Sequence, residues 1–157
     1  MFQCKDNDNY NTPKSAWIDI QHLIPQDKIV WEAFYSNGDS GRFLRELGFD
    51  VIHEPIDFFT HDEGDIVVSN PPFSLTKKII ERLHTLDKPF ILLLPVAKIC
   101  YQYFRLVGDG LQLIIPPKRI NFYFGGRDGG RRTISNFDCM YYCWKMNFEK
   151  DIIFLGA

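Results

Sequence analysis

An α/β sandwich built on a mixed sheet is the fold this chain predicts, and three observations predict it. Short apolar runs, Asp65-Ile66-Val67-Val68-Ser69 and Phe90-Ile91-Leu92-Leu93-Leu94, have the length and continuity of strands buried on both faces. Amphipathic stretches, Leu75 to Leu86 above all, alternate with such runs. The final segments, Phe137 to Met146 and Ile152 to Leu155, follow with no long helix between them and indicate antiparallel strands at the end.

The elements are expected in the following order. Residues through Asn11 are polar and read as loop. Thr12-Pro13 opens a short helix, with Thr12 as N-cap and Pro13 at the first helical position. Trp17, Ile20 and Leu23 form its apolar stripe. Lys28 to Ala33 is the first strand, and Tyr35 to Gly41 a polar turn. Gly41 to Leu47 is a short helix closed by Gly48. Phe49 to Glu54 is the second strand and Asp65 to Ser69 the next. The helix over Leu75–Leu86 turns Ile79, Ile80 and Leu83 inward and Lys77, Lys78, Glu81 and Arg82 outward. A buried strand at 90–94 precedes a helix over Val96–Val107. Leu111 to Ile115 and Ile120 to Phe124 flank Pro116-Pro117, and Gly125 to Arg132 reads as a mobile loop.

The chain of 157 residues is long enough for one domain with a full core, and it shows no linker, repeat or low-complexity tract. Aromatic content is high, with 14 Phe and 7 Tyr. The net charge of −2 announces no polyanionic partner by itself. No signal peptide and no apolar run of membrane-spanning length is visible, since the longest run is interrupted by Pro95 and Lys98. Cys4, Cys100, Cys139 and Cys143 lack metal-ligand spacing and histidine partners. They read as free thiols of a reducing, cytoplasmic compartment, with no metal site.

Asn70-Pro71-Pro72-Phe73 lies where the strand at 65–69 ends, at the edge where open α/β sheets bind ligands. Two prolines fix two φ angles, remove two donors and restrict the residue before each. A rigid extended corner results. The Asn70 amide and the carbonyl of Pro71 can face one planar amine, with the Phe73 ring alongside. A Pro-Pro corner also occurs as a plain turn, so its neighbours on that edge matter.

The first strand runs into Trp31-Glu32-Ala33-Phe34-Tyr35-Ser36-Asn37-Gly38. Glu32 suits a cofactor ammonium, and Gly38 permits close backbone approach. No GxGxxG or GxxxxGK[ST] motif is present, which favours an adenosine cofactor without a pyrophosphate. Glu54, at the end of the second strand, suits both ribose hydroxyls. Asp57-Phe58 suits an adenine, the carboxylate accepting from its amine and the ring packing on its face.

These residues resemble the S-adenosylmethionine-dependent amino-methyltransferases, in particular the N6-adenine DNA methyltransferases. The family tetrapeptide (D/N/S)PP(Y/F/W) is matched in full at 70–73. The family cofactor loop (D/E)PFxGxG is matched at Glu32, Phe34 and Gly38, while Ala33 and Ser36 depart from it. Tyr10-x-Thr12-Pro13 is similar to the segment beside the cofactor's methionine end. The resemblance spans about residues 6 to 146. It implies a Rossmann-like methyltransferase fold with a seven-stranded mixed sheet and an antiparallel C-terminal hairpin. It further implies S-adenosyl-L-methionine bound by Tyr10, Thr12, Pro13, Glu32, Phe34, Ser36, Gly38, Glu54, Asp57 and Phe58. Methyl transfer to adenine N6 then falls to Asn70, Pro71, Pro72 and Phe73.

Lys118, Arg119, Arg127, Arg131 and Arg132, with a single acid Asp128 among them, suit nucleic-acid phosphates or else form a solvated loop. DNA is the favoured target. RNA, a protein glutamine, or a role as a non-catalytic nucleic-acid-binding subunit are the alternatives. The length leaves no room for a separate target-recognition domain, so weak specificity, recognition supplied by a partner subunit or homodimer, or a target other than duplex DNA is expected.

Overall fold

The computed structural model describes residues 10–123 and 137–156. Seven strands form one sheet: β1 (Ile29–Trp31), β2 (Asp50–Ile52), β3 (Ile66–Ser69), β4 (Phe90–Pro95), β5 (Leu111–Ile115), β6 (Cys139–Trp144) and β7 (Ile152–Phe154). Their order across the sheet is β2-β1-β3-β4-β6-β5-β7. β2, β1, β3 and β4 run parallel. β6 inserts antiparallel to both β4 and β5, while β7 is parallel to β5. The fold is therefore the expected α/β class with a mixed sheet, and the antiparallel pair near the C-terminal end is β5–β6.

Three α-helices cover the sheet: α1 (Lys14–Ile20), α2 (Asp39–Glu46) and α3 (Thr76–Thr85). One face carries α1 and α2, whose Trp17, Ile20, Phe43 and Leu44 pack on Val30, Val68, Ile91, Leu93 and Tyr141. The other carries α3, with Ile79, Ile80 and Leu83 against Trp31, Val67, Leu92, Leu94 and Tyr142. Successive residues of β3 and β4 thus enter opposite cores, the reason those strands read as continuous apolar runs. At about 25 cal/mol per Å² of apolar area, these two cores supply most of the folding free energy.

Three local expectations are corrected. Helix α1 begins at Lys14, with Pro13 (φ −67°, ψ 150°) as its N-cap residue. Thr12 therefore caps nothing, and its buried Oγ1 has no partner. The stretch after β4 forms two 3₁₀ segments, Val96–Cys100 and Gln102–Gly110, in place of an α-helix. Its β-branched residues and glycines have weak helix propensity, and Tyr101 (ψ 142°) breaks the run. Ile120 to Tyr123 does not join the sheet. Phe122 packs into the α1/α2 core, and Tyr123 makes an isolated antiparallel bridge to Asn11. The expected loop over 125–132 lies outside the described residues.

Cys100 is exposed, while Cys139 and Cys143 lie in the core and all three are free thiols; burial raises the pKa of both core thiols. Among the described residues no helix is long and apolar enough to cross a membrane. Nor does any group of three or more His, Cys, Asp or Glu there offer a metal site.

Candidate active site

The chain passes from β1 out to β2 and then returns past β1 to β3, so the switch in strand order falls between β1 and β3. Parallel pairing sets Trp31 beside Val67 and Ile52. The residues that follow these strands must therefore meet at one edge. Glu32, Ser69 and His53 do so.

Glu32 is 1% exposed. Its Oε1 accepts from the Phe34 amide at 3.1 Å and from the Ser69 hydroxyl. Burial pushes this carboxyl up to about 8, although both hydrogen bonds pull the other way. His53 donates through Nδ1 to the Glu32 main-chain carbonyl at 2.8 Å and stacks on Tyr35. Burial, the largest influence, lowers its pKa and keeps the ring neutral. A Cβ on Gly41 of α2 would fall 2.2 Å from the His53 ring, so only glycine fits there. Helix and histidine thus lock the floor beneath Glu32.

Asn70 leaves the end of β3. Its Nδ2 donates to the Tyr10 carbonyl at 2.8 Å, whereas its buried Oδ1 has no partner among the described residues. The two prolines are buried and hold the corner. Phe73 opens a 3₁₀ turn, Phe73–Leu75, that leads into α3. Its ring lies nearly parallel to Tyr10 (5.9 Å, 19°) and edge-on to Phe137 (5.3 Å).

One small cleft, of about 20 Å³, runs between Glu32 and Asn70. Six of the anticipated residues line it: Tyr10, Thr12, Glu32, Phe34, Ser36 and Asn70. Asn11, Tyr35, Asn37, Asp39, Ser40 and Tyr123 complete the lining. None of those six is among the residues the resemblance assigns to cofactor or target, although Tyr35 and Asn37 lie within the loop that follows the first strand. Tyr123 hydrogen-bonds Asp39 across 84 residues of chain, a contact without local signal. Asn11 had one available clue, its position between Tyr10 and Thr12. Among the described residues the lining contains the acids Glu32 and Asp39 and no Lys or Arg. Among the described residues, two atoms of lining residues, Thr12 Oγ1 and Asn70 Oδ1, are buried without partners, and His53 Nε2 beside Glu32 is likewise unpartnered.

The loop at Ser36 accommodates its departure from glycine. Ser36 takes φ +50°, the left-handed conformation that glycine would adopt freely, and its hydroxyl donates to Asn11 Oδ1 at 3.0 Å. Gly38 (φ +86°) starts α2. Ala33 is buried in the α3-side core.

The other anticipated residues lie apart from the cleft lining. Pro13 is buried at the start of α1. Glu54 is exposed just past β2, and Asp57 is half-buried with Oδ1 accepting from the Phe59 amide at 2.9 Å. Phe58, expected to pack on an adenine, is 0% exposed, its ring centroid 5.5 Å from that of Trp31 and 5.0 Å from that of Phe34.

Arg82 likewise departs from its outward assignment. Its Nε donates to the Phe58 carbonyl at 2.6 Å and Nη2 to the His61 carbonyl at 2.7 Å. Arg82→Ala should therefore lower stability by about 2 kcal/mol, since two charge-assisted hydrogen bonds are lost. A lower urea midpoint, with faster amide exchange confined to residues 57–61, would register it. An unchanged midpoint would show that the loop holds without this clamp.

Lys118 and Arg119 are exposed and line a separate recess with Ser15, Asp19 and Asn121. Arg119 pairs with Asp138 at 3.3 Å. Arg127, Arg131 and Arg132 lie outside the described residues.

With this geometry in view, the chain is similar to the Type II methyltransferase M.EcoRI of Escherichia coli. The two are 31% identical over 104 residues, covering 55% of this chain and 30% of that protein. The chain thus matches less than a third of that relative's length. No protein-family model matches the chain. The seven-stranded mixed sheet with its antiparallel pair is compatible with a Rossmann-like methyltransferase fold.

Proposed function

We propose that this protein transfers a methyl group from S-adenosyl-L-methionine to the exocyclic N6 amine of adenine, with DNA as the favoured carrier. The observation that carries the reading is the Asn70 side chain. Its donor end is committed to Tyr10 and its acceptor end is buried with nothing to accept from. A buried unpaired acceptor costs about 1–3 kcal/mol, and an incoming N–H repays it.

The cleft chemistry suits the cofactor. Two carboxylates without a basic residue favour a cationic ligand, and the Thr12 hydroxyl offers a further polar contact. Glu32 would hold the ammonium group, while Glu54 and Asp57 would reach ribose and adenine. The cofactor supplies an electrophilic methyl group on a sulfonium, so no protein nucleophile is required. Asn70 Oδ1 and the Pro71 carbonyl accept the two amine hydrogens and direct the nitrogen lone pair along the line of attack. Methyl transfer would leave the amine with one surplus proton, which would pass to solvent beside the Asn70 side chain and the Pro71 carbonyl that would hold the amine. The protein's contribution is positioning and charge placement.

Tyr10 lies across the face of Phe73, so a target base stacking there displaces the Tyr10 ring. The base must be extruded from a duplex or arrive single-stranded. Tritiated cofactor offered with duplex DNA, single-stranded DNA, RNA and protein pools tests the assignment. Label is expected in DNA as N6-methyladenine. Label confined to protein or RNA would move the same chemistry to another carrier, and no label in any pool would refute catalysis.

A further inference from the structure

The donors around Glu32 are distributed unequally, and the imbalance has a chemical meaning. The Ser69 hydroxyl and the Phe34 amide both converge on Oε1, and Oε2 receives no hydrogen bond among the described residues. A neutral carboxyl has this pattern: one oxygen accepts as a carbonyl while the other carries the proton.

Among the described residues the surroundings supply no cationic side chain to the Glu32 carboxyl. From β2, His53 donates to the Glu32 carbonyl and is kept neutral by burial, with Arg45 and Glu54 acting on it in opposite senses. From α2, Asp39 lines the same cleft and is bound by the Tyr123 hydroxyl. Tyr10 and Tyr35 bring rings and hydroxyls. An ionised Glu32 in the empty cleft would be a buried anion beside a second carboxylate, an arrangement that burial penalises heavily.

Resting on the cofactor reading above, we propose that Glu32 stays protonated in the empty cleft and exchanges that proton for the ammonium group of the cofactor. Ser69 acts as a positioning residue that fixes the carboxyl for the exchange. The Oε2–H bond breaks, the proton passes to solvent, and the cation takes its place beside the new carboxylate. The upward displacement of this carboxyl agrees with the geometry. Cofactor binding then depends on pH through a group that never touches the reacting atoms.

Calorimetry of the full chain with S-adenosyl-L-methionine, in buffers of different ionisation enthalpy, reads the exchange directly. At pH 6.5 an α-amino group (pKa about 7.7–8.0) is still cationic and contributes little of its own. The binding enthalpy should vary linearly with buffer ionisation enthalpy, with a slope of about one proton released. Ser69→Ala removes a donor that favours the ionised form, so release should persist to higher pH. Glu32→Gln should bind without release. Should that variant fail to fold, infrared difference spectra of the unaltered protein serve instead, with a protonated-carboxyl band lost on cofactor addition. Binding with zero slope, or without loss of that band, overturns the exchange alone. No binding overturns the cofactor reading and the exchange with it.

Discussion

Asn70→Ala is expected to reduce methyl transfer by at least about a hundredfold, while cofactor affinity changes by no more than about twofold. The magnitude is that of removing one preorganised hydrogen-bonding group from a site where charge develops. The separation of effects follows from geometry. Asn70 Oδ1 is a buried unpaired acceptor at the proline corner, whereas the proposed cofactor contacts lie on Glu32 and the loop after β1. The substitution also leaves the Tyr10 carbonyl without its donor, so a modest loss of stability, about 1 kcal/mol, should accompany it. Asn70→Asp separates the two roles. It keeps an acceptor but removes the donor to Tyr10, and should retain a measurable fraction of the rate. Single-turnover transfer from tritiated cofactor, with calorimetric binding in parallel, gives both numbers. An undiminished rate in Asn70→Ala would remove the corner from the chemistry.

Gly41→Ala should be the most damaging small substitution in the described fold. Alanine is favoured over glycine inside a helix by about 1 kcal/mol. Here that gain is outweighed, because the new Cβ would lie 2.2 Å from two His53 ring atoms and 2.4 Å from its Cβ. His53 has no room to yield: it is bonded to the Glu32 carbonyl and stacked on Tyr35. Either α2 lifts from the sheet or the histidine is expelled. Overpacking of this kind costs about 1–3 kcal/mol beyond the propensity gain, and cofactor binding should weaken with it because Glu32 loses its floor. Gly108→Ala is the control. Nothing lies within 4 Å of a Cβ there, so its thermal midpoint should be unchanged or slightly raised. Equal midpoints for Gly41→Ala and the unaltered protein would show that His53 moves freely.

The strands were readable because each had a one-dimensional signal. Ile66 to Ser69 and Phe90 to Pro95 are buried on both faces and read as unbroken apolar runs. The corner at 70–73 was readable because proline restricts the backbone whatever surrounds it. Signals failed where tertiary contacts decide. Arg82 carries the spacing of a solvent-facing helix residue, yet the loop at 57–61 folds back to meet it. The packing of Phe58 against Trp31 and Phe34 appears only when β1 and that loop are brought together. Thr12 has the residue type of a cap, but Pro13 leaves the helix to begin one residue later.

The amino-acid sequence by itself determined the α/β class, the strand-end placement of Glu32, Glu54 and Asn70, and the rigid amide-plus-proline corner. All of these depend on local pattern and backbone restriction. The tertiary structure alone decided which oxygen of Glu32 takes both hydrogen bonds, that Asn70 spends its donor on Tyr10, and that Asp39 meets Tyr123. Those pairings join residues from 37 to 84 positions apart, with Phe34 the one local exception. Parallel register and chain reversal create them, and no stretch of sequence carries their signature.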